Sequence, residues 1–119
     1  MRISLPATLT AAATVAAVLC SHVWFAATAS AEARAHIVEI RKLEFSPAVL
    51  EVDPGDTITW INHDLVPHTV TADDKSWDSP TLATGEEWLM VVRDRTLESY
   101  FCRFHPSMKA QLRIATEPN

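Results

Sequence analysis

The chain has 119 residues, 48% of them apolar and 21% charged, which is the balance of a globular protein and a length suited to one domain. Ten basic residues against 15 acidic ones give a net charge of −5, arguing against a nucleic-acid binder, because phosphate contacts need a basic face. Two glycines are too few for a Gly-rich phosphate cradle, and the apolar content argues against a disordered chain.

Residues 1–31 carry a single charge, Arg2, and then run through apolar and small side chains to Ala27-Thr28-Ala29-Ser30-Ala31. A basic start, an apolar middle and small residues at positions −3 and −1 before Glu32 describe a secretory signal peptide. The longest uninterrupted apolar run, residues 15–20, is far short of the ~20 residues a membrane-spanning helix needs. Leu19 is too large for the position before a lipid-modified Cys20. The expected protein is therefore exported, with a periplasmic location, and its domain is residues 32–119. Taking 31 residues from 119 leaves 88; losing Arg2 leaves nine basic residues against 15 acidic ones, a net charge of −6. Cys102 is then the sole cysteine, so no internal disulfide can form, although small exported domains usually add a disulfide or a metal to a small core.

The strands expected in this domain follow from period-two alternation between turn signals. Residues 36–43 place Val38 and Ile40 on one face, Glu39 and Arg41 on the other. Residues 48–52 end at Asp53-Pro54-Gly55-Asp56, a strong turn signal. Residues 57–62 alternate Ile58 and Trp60 against Thr57 and Thr59, and residues 66–72 alternate Val66, His68 and Val70 against Pro67, Thr69 and Thr71. Residues 87–92, 97–102 and 110–115 complete seven strands, and the polar residues 73–85 form the longest loop. No window shows a capped helical period. The pattern predicts an all-β sandwich or barrel. A domain of this size buries little of its unfolded surface, and a metal held only by the folded state would stabilise it.

The chemistry lies in Tyr100-Phe101-Cys102-Arg103-Phe104-His105-Pro106-Ser107-Met108, which contains Cys-x2-His-x2-Met at the end of an expected strand. A thiolate, an imidazole and a thioether suit copper, since soft sulfur favours Cu(I) and imidazole accepts either oxidation state. A trigonal copper site adds a second histidine, and His68 is the best candidate because the alternation points it inward. Each residue taken singly has an ordinary structural use: Cys102 and Met108 as core, His105 in a surface loop, His68 as a satisfied buried histidine. It is their combination on one turn that points to a metal. Zinc rarely takes a thioether, covalent haem needs a second cysteine before Cys-His, and a Cys–His nucleophile pair lacks an orienting third group. His63 follows Asn62 in a loop and is expected to be solvated, with a second, adventitious metal site involving His68 conceivable; His36 is expected to be exposed at the start of the first strand.

From Ile37 to Ile114 the sequence resembles the cupredoxins, the type 1 blue copper proteins, through Pro54-Gly55-Asp56-Thr57-Ile58-Thr59-Trp60-Ile61-Asn62, Pro67-His68-Thr69-Val70, Tyr100-Phe101-Cys102 and His105-Pro106-Ser107-Met108. The two-residue spacings in the ligand loop are similar to those of the amicyanin group. The resemblance implies a Greek-key β-sandwich or barrel, one copper ion, His68, Cys102 and His105 as strong ligands and Met108 as a weak axial one. It implies that Asn62 ties the two ligand loops together. It also implies single-electron transfer, not catalysis, between redox proteins such as a c-type cytochrome or a periplasmic dehydrogenase, by a monomer. Copper delivery or resistance is the alternative use of the same ligands, and copper oxidase or nitrite reductase chemistry lacks the further histidines it needs. Arg103 and Ala110 depart from the residues common in the family, and Arg103 puts a positive charge beside the ligand loop.

Overall fold

Strong alternation in sequence becomes alternation in burial. Along Thr57–Asn62 every second side chain, Ile58, Trp60 and Asn62, is fully buried, as are Val38 and Ile40 along Ala35–Arg41. The computed structural model describes residues 3–4 and 32–115; almost all of the expected signal segment, and its cleavage site, lie outside them. Among the described residues no helix is long and apolar enough to cross a membrane.

The strands are β1 (Ala35–Arg41), β2 (Glu44–Ser46), β3 (Val49–Val52), β4 (Thr57–Asn62), β5 (Thr71–Ala72), β6 (Glu87–Val91), β7 (Ser99–Phe101) and β8 (Lys109–Ile114). They form two four-stranded sheets, β2-β1-β4-β6 and β3-β8-β7-β5, and the chain passes repeatedly from one sheet to the other in Greek-key fashion. β1 runs parallel to β4, with Val38 opposite Trp60, and β3 parallel to β8, with Leu50 opposite Leu112. Apolar side chains of both inner faces fill the space between: Val38, Ile40, Ile58 and Trp60 from one sheet, Val52, Tyr100 and Leu112 from the other. Trp60 packs edge-on against Tyr100, with ring centroids 5.7 Å apart, and lies 5.4 Å from Trp88. Residues 73–86 form the expected long loop, and Trp77 anchors it by packing on Trp60 and Trp88 and donating its indole N–H to the Leu97 carbonyl at 3.1 Å.

Two of the expected strands are corrected. The stretch 36–43 is not one strand: the chain reverses at Lys42 and Leu43, both with positive φ (55° and 62°), and returns as β2. Neither residue favours that conformation. It is held from a distance, because the Asp64 carboxylate accepts the backbone N–H of Lys42 at 2.6 Å and of Leu43 at 2.9 Å. The stretch 66–72 is a strand only at Thr71 and Ala72. Val66 is exposed while residues 68–72 are all buried: Thr69 and Val70 donate their amides to the Cys102 and Ser79 side chains, and His68 and Ala72 donate theirs to the Leu82 and Trp77 carbonyls of the following loop. His68 is buried as expected, but not for the reason that alternation supplied.

At the end where β4 begins, Asp56 is almost fully buried and accepts hydrogen bonds from the backbone N–H of Arg34 at 2.7 Å and of Asp53 at 3.0 Å. The His36 Nε2 lies 2.7 Å from the Asp56 Oδ2, the oxygen that also accepts the Asp53 N–H, and His36 is partly buried, not exposed. Burial pushes the Asp56 carboxyl up, but the hydrogen bonds from Asp53, Arg34 and His36 outweigh it, lowering the pKa from the ordinary 3.8 to about 2. A carboxyl depressed on folding stabilises the protein above its unfolded pKa and loses that contribution as pH falls through its folded value. Asp56→Asn is therefore expected to cost about 2 kcal/mol at pH 7 in urea denaturation of the metal-free protein. The gap should close as the pH drops from about 4 towards 2, and a pH-independent gap would refute the assignment.

Candidate metal centre

β4 and β7 release the chain at the same end of the sandwich, and the loops that follow bring three donor residues together. His68 and Cys102 are fully buried, His105 is partly buried, and their donor atoms lie within 4.8 Å of one another. The Cys102 Sγ is 3.7 Å from the His68 Nδ1 and 3.8 Å from the His105 Nδ1. Metal–sulfur and metal–nitrogen bonds of about 2.3 and 2.0 Å at 120° place such donors about 3.7 Å apart. The two sulfur–nitrogen separations therefore match those of a trigonal site, and the donor set fits copper.

The loop from 102 to 108 closes on itself. The His105 N–H donates to the Cys102 carbonyl (3.2 Å), the Met108 N–H to the His105 carbonyl (2.8 Å) and the Cys102 N–H to the Met108 carbonyl (3.1 Å). This circle fixes the three residues relative to one another without help from outside the loop. Met108 closes the loop and is itself buried, 4% exposed.

His68 is held from behind. Its Nε2 lies 2.8 Å from the Asp64 Oδ2, so the proton sits on Nε2 and the Nδ1 lone pair faces Cys102. Burial pushes the Asp64 carboxyl up, but the amides of Leu43 and Lys42 and the His68 ring more than compensate and hold it below the usual carboxylate range. Asp64 was not singled out from the sequence. An acid four residues before the candidate histidine was the available signal.

The loop tie expected of Asn62 is corrected. Its side-chain amide donates to the carbonyls of Val66 and Leu82, both at 2.9 Å, and its oxygen accepts the Asp64 N–H at 2.9 Å. These bonds join the His68 loop to residues 73–86 and do not reach the Cys102 loop. Thr69 makes that tie instead: its N–H donates to the Cys102 Sγ at 3.3 Å, and its Oγ1 accepts the Arg103 N–H at 2.9 Å.

The two donor-bearing loops also carry exposed apolar side chains. Leu65 is 92% exposed, Phe104 47% and Val66 42%, and Pro67 and Pro106 are also exposed. His63 is exposed, its Nε2 3.6 Å from the Glu39 carboxylate, and among the described residues it belongs to no group of three such donors.

The sequence profile described as "Copper binding proteins, plastocyanin/azurin family" matches residues 32–115. Amicyanin of Paracoccus denitrificans is 28% identical over 81 residues, covering 64% of this chain and 62% of that protein. Amicyanin-alpha of Methylorubrum extorquens is 26% identical over 80 residues, covering 63% of this chain and 67% of that one. The matched segment thus spans less than two thirds of the Paracoccus protein. A copper(I) structure of an amicyanin variant superposes with a TM-score of 0.62 at 26% identity, over 68% of this chain and 82% of that one. A purple cupredoxin from Nitrosopumilus maritimus gives 0.62 at 28% identity, over 71% of this chain and all of that one.

Proposed function

The chain belongs to the plastocyanin/azurin family of copper-binding proteins, and from that premise we propose that it is an exported blue copper protein that carries single electrons between redox partners. The carrying observation is the convergence of the Cys102 thiol with two imidazole Nδ1 atoms at 3.7 and 3.8 Å. His68, Cys102 and His105 would hold the copper, with the Met108 thioether as a fourth, weaker donor. When bound, copper supplies one-electron chemistry between Cu(II) and Cu(I).

The residues around the site keep it from rearranging. Asp64 fixes the His68 ring, the closed circle of residues 102–108 fixes the other donors, and Thr69 holds the sulfur. Little movement between oxidation states makes electron transfer fast, and such preorganisation is the protein's contribution. Four protein donors leave no position for a substrate, which supports a carrier and not an enzyme. The exposed Leu65, Val66 and Phe104 on the donor-bearing loops suit brief docking over a small interface. The net charge of −6 over residues 32–119 favours encounter with a positively charged partner, such as a c-type cytochrome or a periplasmic dehydrogenase. The carrier acts in the periplasm as a monomer, after loss of residues 1–31.

Addition of Cu(II) to the purified 32–119 protein is expected to give one equivalent of intense orange-red absorption and fast self-exchange between oxidised and reduced forms. A colourless product would sink the proposal. A coloured protein with slow self-exchange and readily surrendered copper would support delivery instead of electron transfer.

A further inference from the structure

Arg103 stands where the family commonly has a small or hydroxyl residue, and its side chain joins a chain of groups that ends beside the Cys102 sulfur. The Arg103 Nε lies 3.2 Å from the Asp78 Oδ1 and 3.4 Å from the Thr71 Oγ1, and its Nη2 lies 3.4 Å from the Ser79 carbonyl. Thr71 Oγ1 is 2.6 Å from the Asp78 Oδ1 and 3.1 Å from the Thr69 Oγ1. Thr69 Oγ1 in turn is 4.0 Å from the Cys102 Sγ, at the outer limit for a hydrogen bond to sulfur. Thr69 and Thr71 are fully buried, whereas the side chains of Asp78 and Arg103 are 40% and 38% exposed.

The fixed partners at either end decide where the hydroxyl protons lie. An ionised carboxylate only accepts, so at 2.6 Å Thr71 gives its single proton to Asp78. Thr71 then has only lone pairs to offer Thr69, and a 3.1 Å contact between two oxygens needs a proton between them. That proton is the Thr69 hydroxyl's. At the other end the Arg103 amide can only donate, and it occupies a Thr69 lone pair at 2.9 Å. The Thr69 hydroxyl thus turns its proton away from the sulfur, leaving the Thr69 amide as the donor that this residue gives to Cys102.

We propose that Asp78, a positioning residue at the surface, orders the Thr71 and Thr69 hydroxyls so that Thr69 withholds a second hydrogen bond from the Cys102 sulfur, thereby lowering the reduction potential of the bound copper. The inference rests on Cys102 being the copper thiolate. Hydrogen bonds to that sulfur tune the potential, since each donor draws charge from the thiolate and favours Cu(I). Arg103 balances the Asp78 charge and holds the carboxylate in place, which accounts for an arginine at this position.

Asp78→Ala removes the acceptor that commits the chain. Thr71 is then free to donate to Thr69, and Thr69 to the sulfur. The potential of the copper-loaded protein is expected to rise. Loss of a negative charge raises it as well, so the decisive comparison is a cycle with Thr69→Val, which lacks the hydroxyl but keeps the amide. Most of the rise should vanish in the Thr69→Val background. Independently, NMR of the reduced diamagnetic Asp78→Ala protein should show a Thr69 hydroxyl proton close to the Cys102 β-protons, and this decides the matter if Thr69→Val folds poorly. Equal rises in both backgrounds, no rise at all, or a hydroxyl still turned towards Thr71 would overturn the proposal with the visible band intact. Absence of the band from the unsubstituted protein would instead overturn the copper assignment on which it stands.

Discussion

Cys102→Ser is expected to abolish the intense visible band of the copper-loaded protein entirely, while leaving the sandwich folded. The band of a type 1 site comes from charge transfer out of the thiolate, and Cys102 is the only cysteine in residues 32–119. Serine is nearly the same size, so the buried site keeps its packing and the closed circle of residues 102–108 keeps its backbone bonds. What disappears is the soft donor. A hydroxyl is a poor ligand for Cu(I), so affinity for the reduced ion should fall by orders of magnitude and more steeply than affinity for Cu(II). Visible absorption with chelator competition for both oxidation states checks this. A band of undiminished intensity in the variant would show that the metal binds elsewhere.

Trp60→Ala is expected to be the most damaging change to the fold. Trp60 is fully buried on β4, contacts Trp77, Trp88 and Tyr100, and donates its indole N–H to the Tyr100 hydroxyl at 3.3 Å. Emptying such a site typically costs about 3–5 kcal/mol, a large part of the roughly 5–15 kcal/mol that holds a domain together. Burial also pushes the Tyr100 hydroxyl up to about 12, so that group stays neutral, and the substitution strips it of the indole N–H that it accepts. Urea denaturation of the metal-free variant should show a sharply lower midpoint or no folded baseline. Adding Cu(I) should recover part of the loss, because the ion binds the folded state preferentially. Trp60→Phe keeps most of the volume and should cost much less. Equal losses in the two variants would mean that the indole hydrogen bond, not the filled space, is what matters.

The sequence was most legible where one physical demand acted alone. β4 had to bury one face, and Ile58 and Trp60 announced it; β1 did the same through Val38 and Ile40. The site was legible in residue types, because few demands other than a soft metal place a thiol, an imidazole and a thioether within seven residues. Legibility failed where a backbone conformation answered to a distant side chain. The reversal at Lys42 and Leu43 carries no glycine or asparagine, since Asp64 supplies from elsewhere the stabilisation those residues would have given. The breakdown of alternation from 66 to 70 has a similar origin: Val70 donates its amide to the Ser79 side chain and Thr69 to the Cys102 sulfur. The Asp78, Thr71 and Thr69 chain was illegible for a further reason, because hydroxyls and surface acids are common and only their mutual distances single these out.

Asp64 divides one carboxylate between a surface hairpin and His68 of the donor cluster. For protein engineering this sets a trap. A turn with two left-handed, non-glycine residues invites replacement by Asn-Gly, ordinarily a safe route to a more robust scaffold. In this chain that graft would keep both backbone N–H groups but no longer need the Asp64 carboxylate to hold their conformation, so that a change at Asp64 would then act mainly through His68. The hairpin and the electron-transfer properties, now inherited together, would become separately adjustable.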